Sequence, residues 1–100
     1  MNKVKILVQM REAGVLGVIR VQAAEDLVGI ARALRNGGLE CVEITMTTPG
    51  ALRAIEEAGG KLEGVTMGAG TVLDGTTARQ AILAGAEFLV TPTVEPDVIE

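Results

Sequence analysis

Four short apolar runs recur along the chain at a spacing of roughly 23 residues. They occupy residues 17–20, 42–45, 65–68 and 88–91. Each run is rich in apolar or β-branched side chains, which favours a buried strand. Because the spacing lies in the range of repeated supersecondary units, we expect one strand and one helix in each repeat.

The segment after the first run carries the periodicity of an amphipathic helix. Apolar side chains recur at positions i, i+3, i+4 and i+7, namely Leu27, Ile30, Ala31 and Leu34. The charged side chains lie elsewhere on the helical wheel, namely Glu25, Asp26, Arg32 and Arg35. Asn36-Gly37-Gly38 is expected to end the helix, because glycine readily adopts the left-handed conformation that closes one.

Capping residues bound the second helix. We expect Thr48 to be its N-cap and Pro49 to take the first helical position. Leu52 and Ile55 are expected to point inward, and Gly59-Gly60 is expected to end the helix.

Three further helices are predicted. The third βα helix begins near Asp74, ends at Gly85 and turns three side chains inward: Ala78, Ala81 and Ile82. A short leading helix reaches Gly14 and carries Val4, Leu7 and Val8 on one side. Pro96 is expected in the first turn of a last helix.

A leading helix followed by βα units is typical of an α/β protein with a parallel sheet. Such sheets bind ligands outside the carboxyl ends of their strands. Polar side chains collect at those ends: Arg20, Thr45, Thr47, Thr71 and Thr91. Each also has a simpler interpretation, since Arg20 could solvate a strand end and a threonine could cap the following helix.

Glu43 is an acid inside the otherwise apolar run from Cys41 to Thr45. The two-residue alternation of a strand puts Cys41, Glu43 and Thr45 on one face. Burying an unpaired carboxylate costs several kcal/mol, so such a group is usually neutralised, paired or catalytic. We interpret Glu43 as a catalytic acid or base, with a paired structural acid as the alternative.

Several kinds of site are excluded or disfavoured. The chain has no histidine and a single cysteine, which excludes a histidine-activated nucleophile, a zinc cluster and an internal disulfide. Cys41 is interpreted as a core residue, because nothing nearby would lower its pKa. Gly68-Ala69-Gly70 is not a dinucleotide fingerprint, because Leu73 replaces the third glycine. We expect it to form a tight turn at the strand end.

Length and charge narrow the class of protein. One hundred residues make one domain, too short for a complete α/β barrel, which needs roughly 200. A net charge of −4 without a basic stripe or aromatic platform argues against nucleic acid as a partner. The sequence shows no signal peptide and no membrane span, so a reducing cytoplasm is the expected location.

Three ordered motifs resemble a known enzyme family. Gly37-Gly38 before Val42-Glu43-Ile44-Thr45, then Gly68–Val72, then residues 84–92 ending in Val90-Thr91-Pro92, are similar to the N-terminal half of the 2-keto-3-deoxy-6-phosphogluconate (KDPG) and 4-hydroxy-2-oxoglutarate (KHG) aldolase family. The resemblance implies a TIM (β/α)8 barrel, of which residues 1–100 would supply the leading helix and about four βα units, a half-barrel.

The resemblance also implies an activity and a site. Family members are class I (Schiff-base) aldolases, usually trimeric, that need no cofactor or metal and cleave a keto acid to pyruvate and an aldehyde. Glu43 matches the general acid/base, and Thr71 matches a threonine that holds the substrate carboxylate. Arg20, Thr45 and Pro92 are further substrate-binding candidates. Thr47 lies where many members carry a carboxylate-binding arginine.

Thr47 is thus one departure from the family pattern. A second departure concerns the imine-forming lysine, which lies on the sixth strand in the family. This chain carries only Lys3, Lys5 and Lys61, so we expect the 100-residue chain to be inactive alone. It is expected to be either part of a longer aldolase or a non-catalytic half-barrel module that assembles with a copy of itself or a complementary half. Its open strand edges predict a homo-oligomer, most simply a dimer, or aggregation.

Overall fold

The computed structural model describes residues 2–20 and 27–100, apart from the side chains of residues 60 and 61. Helices and strands follow one another in the order α1 (Lys3–Ala13), β1 (Gly17–Ile19), α2 (Leu27–Asn36), β2 (Cys41–Thr45), α3 (Ala51–Lys61), β3 (Thr66–Gly70), α4 (Gly75–Ala84) and α5 (Pro96–Ile99). The alternation of strand and helix predicted from the sequence is confirmed. Glu25 and Asp26, expected on the polar side of α2, lie outside the described residues.

The three strands form a parallel sheet in the order β1-β2-β3. Val18 of β1 pairs with Glu43, and Glu43 pairs with Gly68 of β3. The fourth apolar run forms only one bridge, between Ala69 and Leu89. There the Ala69 N–H donates to the Phe88 carbonyl at 3.1 Å, and the Val90 N–H donates to the Ala69 carbonyl at 2.9 Å. The predicted fourth strand is therefore a short extended segment beside β3.

The two faces of the sheet differ. Apolar side chains of one face pack with α2, α3 and α4 in a single core that includes Ile19, Val42, Ile44, Met67 and Ala69. The other face, here called the Glu43 face, comprises Val18, Cys41, Glu43, Thr45, Thr66, Gly68 and Gly70. All five residues of β2 are buried, as expected for a strand covered on both sides.

Helix α3 differs from its prediction at both ends. Thr48 is not the N-cap and Pro49 is not the first helical residue, because the helix begins at Ala51 behind Gly50, whose φ is 73°. The buried Thr48 hydroxyl lies instead 3.3 Å from the Thr45 hydroxyl. The helix also continues through Gly59 to Lys61, since the buried side chain of Ala58 anchors its last turn on the core.

Strand β3 is longer than predicted. Gly68-Ala69-Gly70 was expected to form a turn, but all three residues belong to the strand and are buried. The reason is pairing, because β3 matches β2 residue for residue from Cys41↔Thr66 to Thr45↔Gly70. Those partners lie far away in sequence, so the local glycines predicted a turn where the sheet imposes a strand.

Helix α4 follows its prediction closely. The Asp74 carboxylate caps it by accepting from the Thr77 N–H at 2.6 Å, which also lowers the pKa of that carboxyl. Ala78 and Ala81 are buried as expected, and Gly85 ends the helix with φ 117°. Ile82, expected to point inward, is 48% exposed, because the two alanines take the contact with the core.

Helix α1 is present, but its buried residue is Ile6. The predicted apolar side, Val4, Leu7 and Val8, is exposed. The helix packs against β2 and β3, and Gln9 lies near the Thr66 hydroxyl, with their side-chain oxygens 3.4 Å apart. It therefore lies by the amino-terminal end of β3. No helix in residues 2–20 or 27–100 is long and apolar enough to cross a bilayer.

The course of α3 gives a stability prediction. Gly59 is helical and exposed, and a Cβ built on it meets nothing within 4 Å. Gly59→Ala should therefore stabilise the protein by about 0.5–1 kcal/mol, measured by chemical denaturation. The matched control is Gly85→Ala, which should destabilise because φ is 117° there. Destabilisation by Gly59→Ala would show that α3 ends at the glycine pair.

Candidate active site

Glu43 lies at the centre of β2 with 6% of its surface exposed. Its carboxylate lies over the backbone of Gly70 on the neighbouring strand. Oε2 has no hydrogen-bond partner among the described residues. A buried carboxylate oxygen is normally satisfied, so this one is available to a ligand or to a reacting proton.

Burial and charge act on Glu43 in opposite directions. Loss of water raises the pKa of its carboxyl, and the positive charge of Arg20 at the end of β1 lowers it. Desolvation is the larger effect. Glu43 therefore holds a proton to higher pH than an ordinary glutamate does, as suits a group that alternately gives and takes a proton.

Three threonine hydroxyls cluster where β2 ends. The Thr45 hydroxyl lies 3.1 Å from that of Thr47 and 3.3 Å from that of Thr48. Thr45 is 1% exposed, whereas Thr47 is exposed. Thr45 consequently holds Thr47 in place more readily than it can reach a ligand itself.

Thr71 follows β3 directly and has φ 55°, the one positive φ of a non-glycine residue among those described. A β-branched residue is strained in this conformation, and such strain tends to persist at functional sites. The flanking backbone fixes the turn, since the Met46 N–H donates to the Gly70 carbonyl at 2.8 Å and the Val72 N–H donates to the Val90 carbonyl at 3.1 Å.

The predicted site residues form two groups. Glu43 and Arg20 interact across β1 and β2. Thr47 and Thr71 line a cleft of about 520 Å³ between the starts of α3 and α4. Thr45 connects the groups along β2. Pro92 is exposed in the bend after the fourth apolar run, and no described contact joins it to Glu43.

Cys41 behaves as a core residue. Its thiol is buried, and its pKa is raised first by burial and then by the charges of Glu87 and Glu43. A raised pKa leaves little thiolate, which fits the interpretation that Cys41 is not a nucleophile. Among the residues described, no three acidic or cysteine side chains cluster to hold a metal ion.

Two contributors to the site were missed from the sequence. Gly70 provides the surface on which Glu43 lies, and Thr48 joins the hydroxyl cluster. The alternation in Gly68-Ala69-Gly70 was the available signal, because it leaves one face of a strand without side chains opposite an acid. The sequence alone does not show this, because the glycines lie beside Glu43 only when β3 pairs with β2.

Comparison with known proteins points to one enzyme family. The model of the Aldolase family, described as KDPG and KHG aldolase, matches residues 6–100. The 2-dehydro-3-deoxy-phosphogluconate aldolase of Treponema pallidum is 38% identical over 96 residues. That match covers 96% of this chain and 46% of the relative, so the chain spans under half the length of this relative.

Solved structures agree. The KDPG aldolase of Zymomonas mobilis with 3-phosphoglycerate superposes with a TM-score of 0.83 at 41% identity, covering 93% of this chain and 44% of that one. A KDPG aldolase from Legionella pneumophila, with pyruvate captured as a covalent carbinolamine, gives a TM-score of 0.78 at 31% identity, covering 84% and 41%. Both structures share the α/β arrangement of this chain.

The strained turn at Thr71 gives a second prediction. Replacing Thr71 with glycine should remove the strain, so Thr71→Gly should be more stable than Thr71→Ala by about 1 kcal/mol in denaturant unfolding. The alanine variant is the matched control, because it removes the same hydroxyl and keeps a Cβ. Equal stability of the two variants would mean that the φ of 55° carries no strain.

Proposed function

The chain belongs to the KDPG and KHG aldolase family, and from this we propose that it supplies the acid–base part of a class I aldolase active site. The observation that carries the proposal is Glu43, a buried carboxyl with one oxygen unpartnered among the described residues, which lies over Gly70, the register partner of Thr45. A carboxylate buried in that position without a function would only lower the free energy of unfolding.

The proposed reaction is the cleavage of KDPG, or of 4-hydroxy-2-oxoglutarate, to pyruvate and an aldehyde. An amine adds to the substrate ketone to give a carbinolamine, and loss of water leaves an imine that accepts the electron pair of the breaking C–C bond. Glu43 gives the proton that lets the carbinolamine hydroxyl leave as water. It then takes the proton of the C4 hydroxyl, whose oxygen becomes the aldehyde carbonyl while the C–C electron pair converts the imine to an enamine. Protonation of the enamine at C3 and hydrolysis of the resulting imine then release pyruvate and the amine.

The substrate carboxylate is assigned to the hydroxyl groups. Thr71 lies where the family's carboxylate-binding threonine is expected, and Thr47 lies in the same cleft. Thr47 replaces the arginine of many members, so in this proposal hydroxyl and backbone N–H donors hold the carboxylate. Thr45 supports Thr47, and Arg20 and Pro92 remain proposed substrate contacts.

The imine-forming amine is assigned to a lysine other than Lys3, Lys5 and Lys61. Lys3 and Lys5 are exposed on α1, the helix next to the amino-terminal end of β3, and Lys61 is the last residue of α3. Catalysis in this family of folds takes place at the opposite, carboxyl-terminal ends of the strands. The proposal therefore requires a sixth strand, supplied by a longer chain or by a partner.

A second candidate is a half-barrel module that pairs with a copy of itself. The observation in its favour is Val18, a β1 side chain on the Glu43 face that is 56% exposed. Within residues 2–20 and 27–100, no strand pairs with the outer edge of β1, and open edges promote pairing with another chain. Two such halves, each with three strands and the extended segment beside β3, would on joining edge to edge form an eight-stranded barrel with two-fold symmetry.

The role of Glu43 can be tested in a version of the protein that carries the imine-forming lysine. Glu43→Gln keeps the shape and removes the proton transfer, so kcat should fall by about 10²–10⁴-fold in an assay of pyruvate release. Glu40→Gln is the matched control, because Glu40 is exposed just before β2 and should leave kcat unchanged. A Glu43→Gln variant with normal kcat would make this carboxylate structural.

The assignment of the amine has its own test. We expect the 100-residue chain, incubated with pyruvate and borohydride, to form no reduced adduct by mass spectrometry. The KDPG aldolase of Legionella pneumophila, solved with pyruvate captured as a covalent carbinolamine, serves as the positive control for trapping. A reduced pyruvate adduct on Lys61 would overturn the assignment.

The assembly proposal is tested by sedimentation equilibrium at micromolar concentration, where we expect a dimer. Val18→Lys should dissociate the dimer, because it puts a charge on the exposed side chain of the edge strand that would pair. Val15→Lys is the control, since Val15 is 64% exposed in the loop before β1. A cooperatively folded monomer without any substitution would refute self-pairing.

A further inference from the structure

Two β3 positions on the Glu43 face are glycines, Gly68 and Gly70, and so carry no side chain. At Gly68, the space of a Cβ is already filled by the ring of Phe88. At Gly70, the same space is filled by the carboxyl group of Glu43, with its Cδ only 2.7 Å from where a Cβ would lie and Oε2 closer still. Real Cβ atoms essentially never approach another atom within 3.0 Å, so the carboxylate and a side chain at position 70 exclude each other.

Backbone conformation does not explain the glycine. Gly70 is a regular strand residue, and its φ lies outside the left-handed region. Its carbonyl accepts from the Met46 N–H at 2.8 Å, a bond that any residue could make. Glycine inside a strand weakens the strand. The advantage of glycine at position 70 is therefore the room it leaves for the Glu43 carboxyl group.

We propose that Gly70 is a positioning residue, whose bare backbone is the surface on which the Glu43 carboxylate lies buried. The space over Gly68 is occupied by Phe88, so a carboxylate displaced from Gly70 cannot move to that position. A methyl group at position 70 thus moves the carboxylate without changing its chemistry. This inference deepens the proposed function and rests on it for the role of Glu43.

A double-mutant cycle tests the steric part on the chain of residues 1–100. With Glu43 present, Gly70→Ala should be less favourable for folding than in the Glu43→Ala background, because the carboxyl end of the Glu43 side chain has to move out of the space of the new methyl group. In the Glu43→Ala background the same substitution should cost nothing or stabilise, because its obstacle is gone and alanine strengthens a strand. An equal loss in both backgrounds would refute the proposal. A Gly70→Ala chain that folds only together with Glu43→Ala would support it.

Titration of Glu43, followed by the ¹³C signal of its side-chain carboxyl, tests the positioning part. In Gly70→Ala the raised pKa of Glu43 should move down toward that of an exposed glutamate. Gly68→Ala is the matched control, because it displaces Phe88 from the same strand and face and should leave the Glu43 titration in place. An unchanged titration in Gly70→Ala, or equal shifts in both variants, would refute the proposal.

These measurements are independent of catalysis. If Glu43→Gln proves harmless to kcat while the cycle and the titration behave as expected, the proposed function fails and the role of Gly70 in holding Glu43 survives. If the cycle shows no coupling while Glu43→Gln abolishes activity, only the positioning role fails.

Discussion

The contact between the Glu43 carboxylate and the bare backbone of β3 is the interaction on which the rest of the site depends. It removes a carboxyl group from water while leaving one oxygen without a partner among the described residues. Desolvation of that kind opposes folding whenever the group is charged. The folded-state pKa is raised, so the destabilisation is absent below the ordinary glutamate pKa, grows as pH rises toward the folded pKa, and is complete above it.

The remainder of the fold offsets that cost on the opposite side of the sheet. Alternate residues of β2 send Val42 and Ile44 into a core shared with three helices, where both are almost fully buried. The same alternation puts Glu43 and Thr45 on the Glu43 face. A shift of the strand register by one residue would turn Glu43 toward the helices and take Val42 and Ile44 out of the core. The core contacts that fix the register therefore also fix the position of Glu43.

Elements whose signals are local could be predicted from the sequence. The i, i+3, i+4 spacing from Leu27 identified α2, and Asp74 and Gly85 bounded α4 correctly. Features set by pairing could not be predicted. Gly68-Ala69-Gly70 has the composition of a turn and becomes a strand only beside β2, and Thr48 has the chemistry of a cap but is drawn to Thr45. The role of Gly70 depends on a carboxylate 27 positions away, which no local pattern reveals.

Thr47 and the charge of Glu43 both affect how the proposed site could bind a substrate that carries a carboxylate. In the proposed function, the substrate carboxylate approaches a second carboxylate, and two charged groups in a poorly hydrated site repel each other strongly. An arginine would neutralise one of them, whereas Thr47 supplies only a hydroxyl held by Thr45. Burial of Glu43 acts in the helpful direction, because a raised pKa widens the pH range over which the group can carry a proton. In the proposed function a proton on Glu43 both reduces that repulsion and is the one given to the carbinolamine hydroxyl, so binding without arginine and acid catalysis depend on one feature, the burial of Glu43 over Gly70.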